Sequence, residues 1–192
     1  DPGLYIPFLF ENRAILFDVG DIYSLSPKDI LKISHVFITH THMDHFIGFD
    51  RLLRLFLGRE KQLCLYGPEG FLKNAEGKLA GYAWNLVDNF NYKLSLHLTE
   101  VYPDDVISRA YTCQNKFLST QKAVKSPFNG VLYEEPAFRV SAVILDHSIP
   151  CLGLALKENF HINIKKDRLQ ELGLEPGPWL NEFKQALYDQ KD

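Results

Sequence analysis

The stretch FITHTHMDHFIG, from Phe37 to Gly48, constrains this chain more than any other. It holds three histidines and an aspartate within six positions, in a chain with 7 histidines altogether. The residues leading in, HVFITH, are rich in β-branched and aromatic side chains and predict a buried strand ending at His40. The residues leading out, FIGFDRLLRLFLG, bring Ile47, Leu52, Leu55 and Phe56 to roughly helical spacing, with Gly58 as a stop. The cluster therefore falls on a strand-to-helix turn, with the helix beginning near His45. A polar surface loop would also collect histidines, but not at this density between two apolar elements. His40 and His42 are two apart, so an extended backbone sends both to one side. Asp44 and His45 follow as the chain turns. Imidazole nitrogen and carboxylate oxygen are the usual non-sulfur ligands of zinc, at about 2.0–2.2 Å. The first pair can hold one metal while Asp44 and His45 aim at a neighbour, and two metals roughly 3.5–4 Å apart can clamp a phosphate or acyl oxygen.

A metal site open to substrate takes three protein ligands. His147, at the end of the apolar run VILDH and shortly before Pro150, is the best candidate for the third. His35 precedes a strand and reads as structural. His97 alternates with Leu96 and Leu98 and should face solvent, and His161 lies in a charged tail. None of these three is expected to bind metal. Asp18, in ILFDVG, reads equally as a turn residue before Gly20 or as a support for the metal ligands.

Around this centre the chain reads as mixed sheets covered by helices, an α/β (α+β) arrangement. LYIPFLF and RAILFDVG predict a hairpin, and SPKDILKI a helix capped by Ser26 with Pro27 at its first position. QLCLYGP predicts a strand, and PEGFLKNAEGKLAGYAWNL a helix from its proline. From Lys93 to Glu158 the texture is mostly strand: KLSLHLTEVY, GVLYEE, FRVSAVILDH and CLGLALKE. Two helices follow, around KDRLQELG and PWLNEFKQALY. No repeat or long linker divides residues 1–192, so a single domain is expected.

The net charge of -3 excludes a global basic field for nucleic acid. No apolar run is long enough to cross a bilayer. The 3 cysteines, Cys64, Cys113 and Cys151, are odd in number and widely spaced, which predicts a reducing, cytoplasmic setting rather than a disulfide framework. The chain opens without an initiator methionine and ends on EFKQALYDQKD with no terminal strand, so a piece of a longer protein, incomplete at its C-terminus, is expected.

ILFDVG followed by ITHTHMDHFIG resembles the metallo-β-lactamase superfamily. The resemblance implies an αββα sandwich and a metal-dependent hydrolase. It implies that His40, His42 and His147 hold one metal, that Asp44 and His45 hold a second, and that Asp18 supports them. The later strings DHSIPCLGLAL and INIKKDRLQELGLEPGPWLNEFKQ resemble ribonuclease Z within that superfamily. Met43 stands where that family usually has Gly, and Phe49-Asp50 where it has Leu-Pro. The resemblance implies a zinc-dependent endonuclease that removes the 3′ trailer of precursor tRNA, with two zinc ions per complete site. It also implies a metal-activated hydroxide as nucleophile and Asp44 placed to orient or deprotonate it. Manganese or iron can occupy the same donors. Residues 159–192 match the tRNA-gripping arm loosely, through Lys165, Lys166, Arg168, Gly177 and Pro178. Phosphate contact and an ordinary solvated helix start are equal readings of those side chains. Arg51, Arg54, Arg59 and Lys61 read as the solvent face of a helix. A homodimer is compatible with the resemblance. The later Asp and His that complete the family's second metal site are not found after His161. Two other readings therefore stay open: a phosphodiesterase or other hydrolase of small molecules, and a binding or scaffold domain that is catalytically incomplete.

Overall fold

The computed structural model describes residues 1–8, 11–119, 122–158 and 164–188, with the side chain of Tyr188 left aside. The chain divides into two compact units, Asp1–Gly130 with Ala142–Leu154, and Val131–Ser141 with Ala155–Asp192. His161 lies outside the described residues.

In the first unit the predicted hairpin forms from β1 (Leu4–Pro7) and β2 (Ala14–Phe17), paired antiparallel. Helix α1 (Pro27–Ile30) starts as its sequence dictates, with the Ser26 hydroxyl accepting from the Asp29 N–H and proline in the first turn. Strands β3 (Ile33–Phe37), β4 (Lys61–Pro68) and β5 (Leu94–Val101) then lie parallel to β2 in sequence order. Strands β6 (Asp105–Thr112) and β7 (Val124–Pro127) return antiparallel, giving a seven-stranded sheet of order β1-β2-β3-β4-β5-β6-β7. Parallel strands need helical crossovers, and the helical periods of the sequence supply them. Helix α3 (Phe49–Phe56) buries Phe49, Leu52, Leu53 and Phe56, one face at helical spacing. Helix α4 (Phe71–Ala80) buries Phe71, Leu72, Ala75 and Leu79. Each such leucine or phenylalanine, fully buried, contributes about 1.5–3 kcal/mol.

Three predicted boundaries move, for local reasons. Strand β3 stops at Phe37 rather than His40, because Thr39 turns its backbone N–H to the Asp18 carboxylate, 2.7 Å from Oδ1. The helix expected after the cluster is broken into α2 (Met43–Phe46) and α3. At the break, the Gly48 N–H donates to Val19 C=O at 2.8 Å instead of to the preceding helical turn. This join has no room for a side chain. A Cβ on Gly48 would lie 2.2 Å from the Gly20 carbonyl oxygen, and one on Gly20 would lie 2.2 Å from that of Asp44. Finally, Pro68 ends β4 rather than opening a helix, and Gly70 at φ 89° turns the chain into α4.

The remaining strands, β8 (Val131–Glu134), β9 (Phe138–Asp146) and β10 (Pro150–Glu158), form a three-stranded sheet of order β10-β9-β8. The second unit, which holds β8 while β9 and β10 are divided between the units, contains α5 (Lys166–Glu171) and α6 (Trp179–Tyr188), the two helices expected at the end of the chain. Among the described residues, no helix is long and apolar enough to cross a membrane.

Candidate metal centre

The cluster sits where the parallel strands β2 and β3 end, the usual position of a site in an open α/β sheet. The Asp18 N–H donates to Phe37 C=O at 2.8 Å and the Ile38 N–H to Tyr66 C=O at 2.8 Å, so the sheet itself fixes the start of the His loop. His42 is the N-cap of α2, with extended backbone, and His45 lies within that helix. His147 is on the turn between β9 and β10, as expected from its place after an apolar run. A backbone hydrogen bond from Leu152 N–H to Thr39 C=O, 2.8 Å, joins that hairpin to the His loop.

The structure brings His40, His42 and His147 together, with one ligand nitrogen from each inside a 4.8 Å span. His40 Nε2 lies 3.0 Å from His42 Nδ1. Nitrogens bound to one tetrahedral zinc at about 2.05 Å would be roughly 3.3 Å apart, so this pair already converges on a shared point. His40 is buried, while His42 and His147 are exposed, leaving the group open on one side. Burial, then the neighbouring His45 and His42, holds the His40 imidazolium below the ordinary histidine range; Asp18 opposes them. His40 is thus kept neutral, the form that ligates metal. Three imidazoles with an open face fit a divalent zinc-like ion. Among the described residues this is the only such group.

Asp44 and His45 are differently placed. His45 Nδ1 lies 2.9 Å from Asp18 Oδ2, while its Nε2 is 3.6 Å from the exposed Asp44 carboxylate. The two can meet at a common point, but no third ligand joins them among the described residues. Asp18 is buried and, besides His45, accepts from the Thr39 N–H and hydroxyl. Its carboxylate thus contacts both His45 and the residue before His40.

Sequence reasoning passed over Thr39, Asn74 and Cys151. Thr39 read as one more β-branched strand residue, although its hydroxyl lies 3.0 Å from His40 Nδ1. Asn74, on α4, donates to the Thr41 hydroxyl at 2.7 Å and braces the loop from outside. The Cys151 thiol is 4.0 Å from His40 Nδ1. Burial, with the charge of Asp18, pushes that thiol up from its ordinary value, so it stays protonated. Only the Thr directly before the first histidine carried a usable signal, since a hydroxyl there can serve a ring nitrogen.

The other candidates resolve individually. His35 is buried on β3. His97 takes the opposite face of β5 from Leu96 and Leu98, as alternation demands, but it is half-buried rather than free in solvent. Arg51 stacks over the Tyr23 ring at 4.1 Å, and Lys61 Nζ donates to Leu31 C=O at 2.8 Å, so neither is simply on a solvent face. In the second unit, Lys165 caps α5 and Lys166 begins it, both exposed. Arg168 is exposed and paired with Glu171. Gly177 packs against the Trp179 ring, and Pro178 directly precedes α6.

A cleft of about 450 Å³, lined in part by Pro68, Glu69, Tyr102, Asp146 and Ser148, adjoins the His147 turn. Its volume is in the range of small-ligand sites.

No family model matches the chain. Comparison with curated proteins finds ribonuclease Z of Deinococcus radiodurans, 32% identical over 176 residues, covering 90% of this chain and 53% of that protein. Ribonuclease Z of Pyrococcus horikoshii is 33% identical over 187 residues, covering 90% of this chain and 48% of the other. The chain spans about half the length of the curated relatives it matches. Among solved structures, human tRNase Z, short form, aligns with a TM-score of 0.51 at 18% identity, over 82% of this chain and 57% of that one. That likeness carries the fold alone, a mixed α/β arrangement.

Proposed function

From its likeness to ribonuclease Z over 90% of its length, we propose that the protein bearing this chain is a metal-dependent endoribonuclease that removes the 3′ trailer of precursor tRNA. The observation that carries the reading is the convergence of His40, His42 and His147. Those three side chains would hold the first ion, and Asp44 with His45 would contribute to a second. Zinc suits these nitrogen and oxygen donors; manganese or iron fits them too. When bound, the metal activates water and draws charge from the phosphoryl oxygens.

The remaining work falls to the chain's own groups. Asp44 is exposed beside His45 and is free to take a proton from an attacking water. Asp18 and Thr39 hold the rings in place from behind. Lys165 and Lys166 are exposed cations that suit phosphate contacts along a tRNA. Cys64, Cys113 and Cys151 are all free, which supports a reducing, cytoplasmic setting.

The test is cleavage of a trailer-bearing precursor tRNA beside hydrolysis of a small bis-aryl phosphate, using the full reading frame loaded with zinc. Trailer removal that disappears in His147→Ala is the expected result. Hydrolysis of the small ester alone would move the assignment to a small-molecule phosphodiesterase. Loss of both reactions with tRNA binding retained would make this a binding domain.

A further inference from the structure

We infer that Thr39 is a positioning residue: its hydroxyl, relayed to Asp18, sets which nitrogen of His40 faces the metal pocket. The inference rests on the metal-site reading above. Thr39 Oγ1 is 3.0 Å and 2.9 Å from the two Asp18 oxygens, 3.0 Å from His40 Nδ1 and 3.2 Å from His45 Nδ1. A hydroxyl has one proton to donate and two lone pairs, and an ionised carboxylate only accepts. The Thr39 proton therefore goes to Asp18. The Thr39 oxygen is then left as an acceptor, and His40 must bring the proton on its Nδ1.

That assignment leaves the lone pair of His40 on Nε2, the atom that faces His42 Nδ1 at 3.0 Å. The opposite tautomer would point an N–H into the pocket and leave Nδ1 with no donor. His45 obeys the same count. Its Nδ1 lies closer to Asp18 Oδ2, 2.9 Å, than to Thr39, so its proton goes to the carboxylate and its Nε2 faces Asp44. One carboxylate thus orients both rings, and Thr39 carries its reach to His40. The alternative partner for His40 Nδ1 is the Cys151 thiol, but sulfur at 4.0 Å is a weak acceptor beside an oxygen at 3.0 Å.

Thr39 can act this way because it is held at both ends. Its N–H donates to Asp18 and its C=O accepts from Leu152. Valine at this position keeps the shape and removes the relay. Serine keeps the relay.

The experiment is a Co²⁺ titration of the purified protein, read by visible absorption and by competition with a chelator. Wild type, Thr39→Val, Thr39→Ser and Cys151→Ala are compared, and the melting temperature of each metal-free protein is recorded. Loss of a partner to a ligating histidine typically weakens binding tenfold to a hundredfold. Thr39→Val should show a loss of roughly that size, with a changed absorption band, while Thr39→Ser and Cys151→Ala stay near wild type. Equal affinity for Thr39→Val, or a loss in Cys151→Ala instead, overturns the inference and leaves the metal site standing. Failure of wild type to bind Co²⁺ overturns the metal reading itself. Should Thr39→Val not fold, long-range ¹H–¹⁵N spectra of the histidines in metal-free wild type decide the matter. A proton on His40 Nδ1 supports the relay, and a proton on Nε2 overturns it.

Discussion

Asp18 is held at φ 55°, a left-handed backbone that side chains other than glycine, asparagine and aspartate seldom adopt. It is also buried and accepts two donors from Thr39 and one from His45. Asp18→Ala should therefore suffer twice, from backbone strain and from a buried Thr39 N–H left without an acceptor. Urea titration of the metal-free protein should show a loss of about 2 kcal/mol or more. Asp18→Asn tolerates the backbone and keeps an oxygen for Thr39, so its loss should be smaller. Equal losses in the two would mean that neither feature matters. At this scale the sequence was legible where chemistry is crowded and local. His40, His42, Asp44 and His45 stand out from spacing alone. Asp18 and Thr39 do not, because what they do depends on a contact between residues 21 apart. A turn aspartate and a strand threonine look the same with or without it.

The elements were legible wherever one period dominates. The buried face of α3, the Ser26 cap and the alternation along β5 all follow from side-chain pattern. The break at Gly48 was not legible, because it comes from a hydrogen bond to Val19, in another element's loop. The end of β5 supports a test of how its tyrosine is held. The Tyr102 hydroxyl donates to the buried Glu100 carboxylate, which also accepts from Leu72 N–H at 2.7 Å. This hydrogen bond, with burial next, pushes the Tyr102 hydroxyl from 10.0 up to about 12. A raised folded value means the native state keeps its proton when the unfolded chain has lost it. The stability Tyr102 contributes is therefore full below pH 10.0 and is lost as pH rises through about 12. Unfolding midpoints measured across that window should fall in wild type and fall less steeply in Tyr102→Phe. Tyr111, raised by burial and by Glu76, contributes to the slope that remains, as do Tyr5 and Tyr82, both raised chiefly by burial. Identical slopes would show that the Glu100 contact does not hold the proton.

Over the whole molecule, the two proposed metal sites are unequally furnished. His40, His42 and His147 form a complete trio, whereas Asp44 and His45 have no further ligand among the described residues. Elemental mass spectrometry of the purified chain should find a single zinc ion, lost on His147→Ala. Two ions would mean that ligands come from elsewhere. The chain spans about half the length of its curated relatives, and strand β9 presents Val143 and Leu145 at 60% and 51% exposure. The hydrogen bond from Leu152 to Thr39 also fixes an order of events. It joins segments made far apart in time: during translation His40 and His42 leave the ribosome long before His147 does. For most of its synthesis the nascent chain carries only two of the three histidines. Capture by all three side chains would wait until the β9–β10 hairpin has crossed back to the His loop and the entropy of closing that long loop has been overcome. On the proposed reading, an ion bound by the three histidines would act as a clasp on a finished topology, not as a seed for local folding.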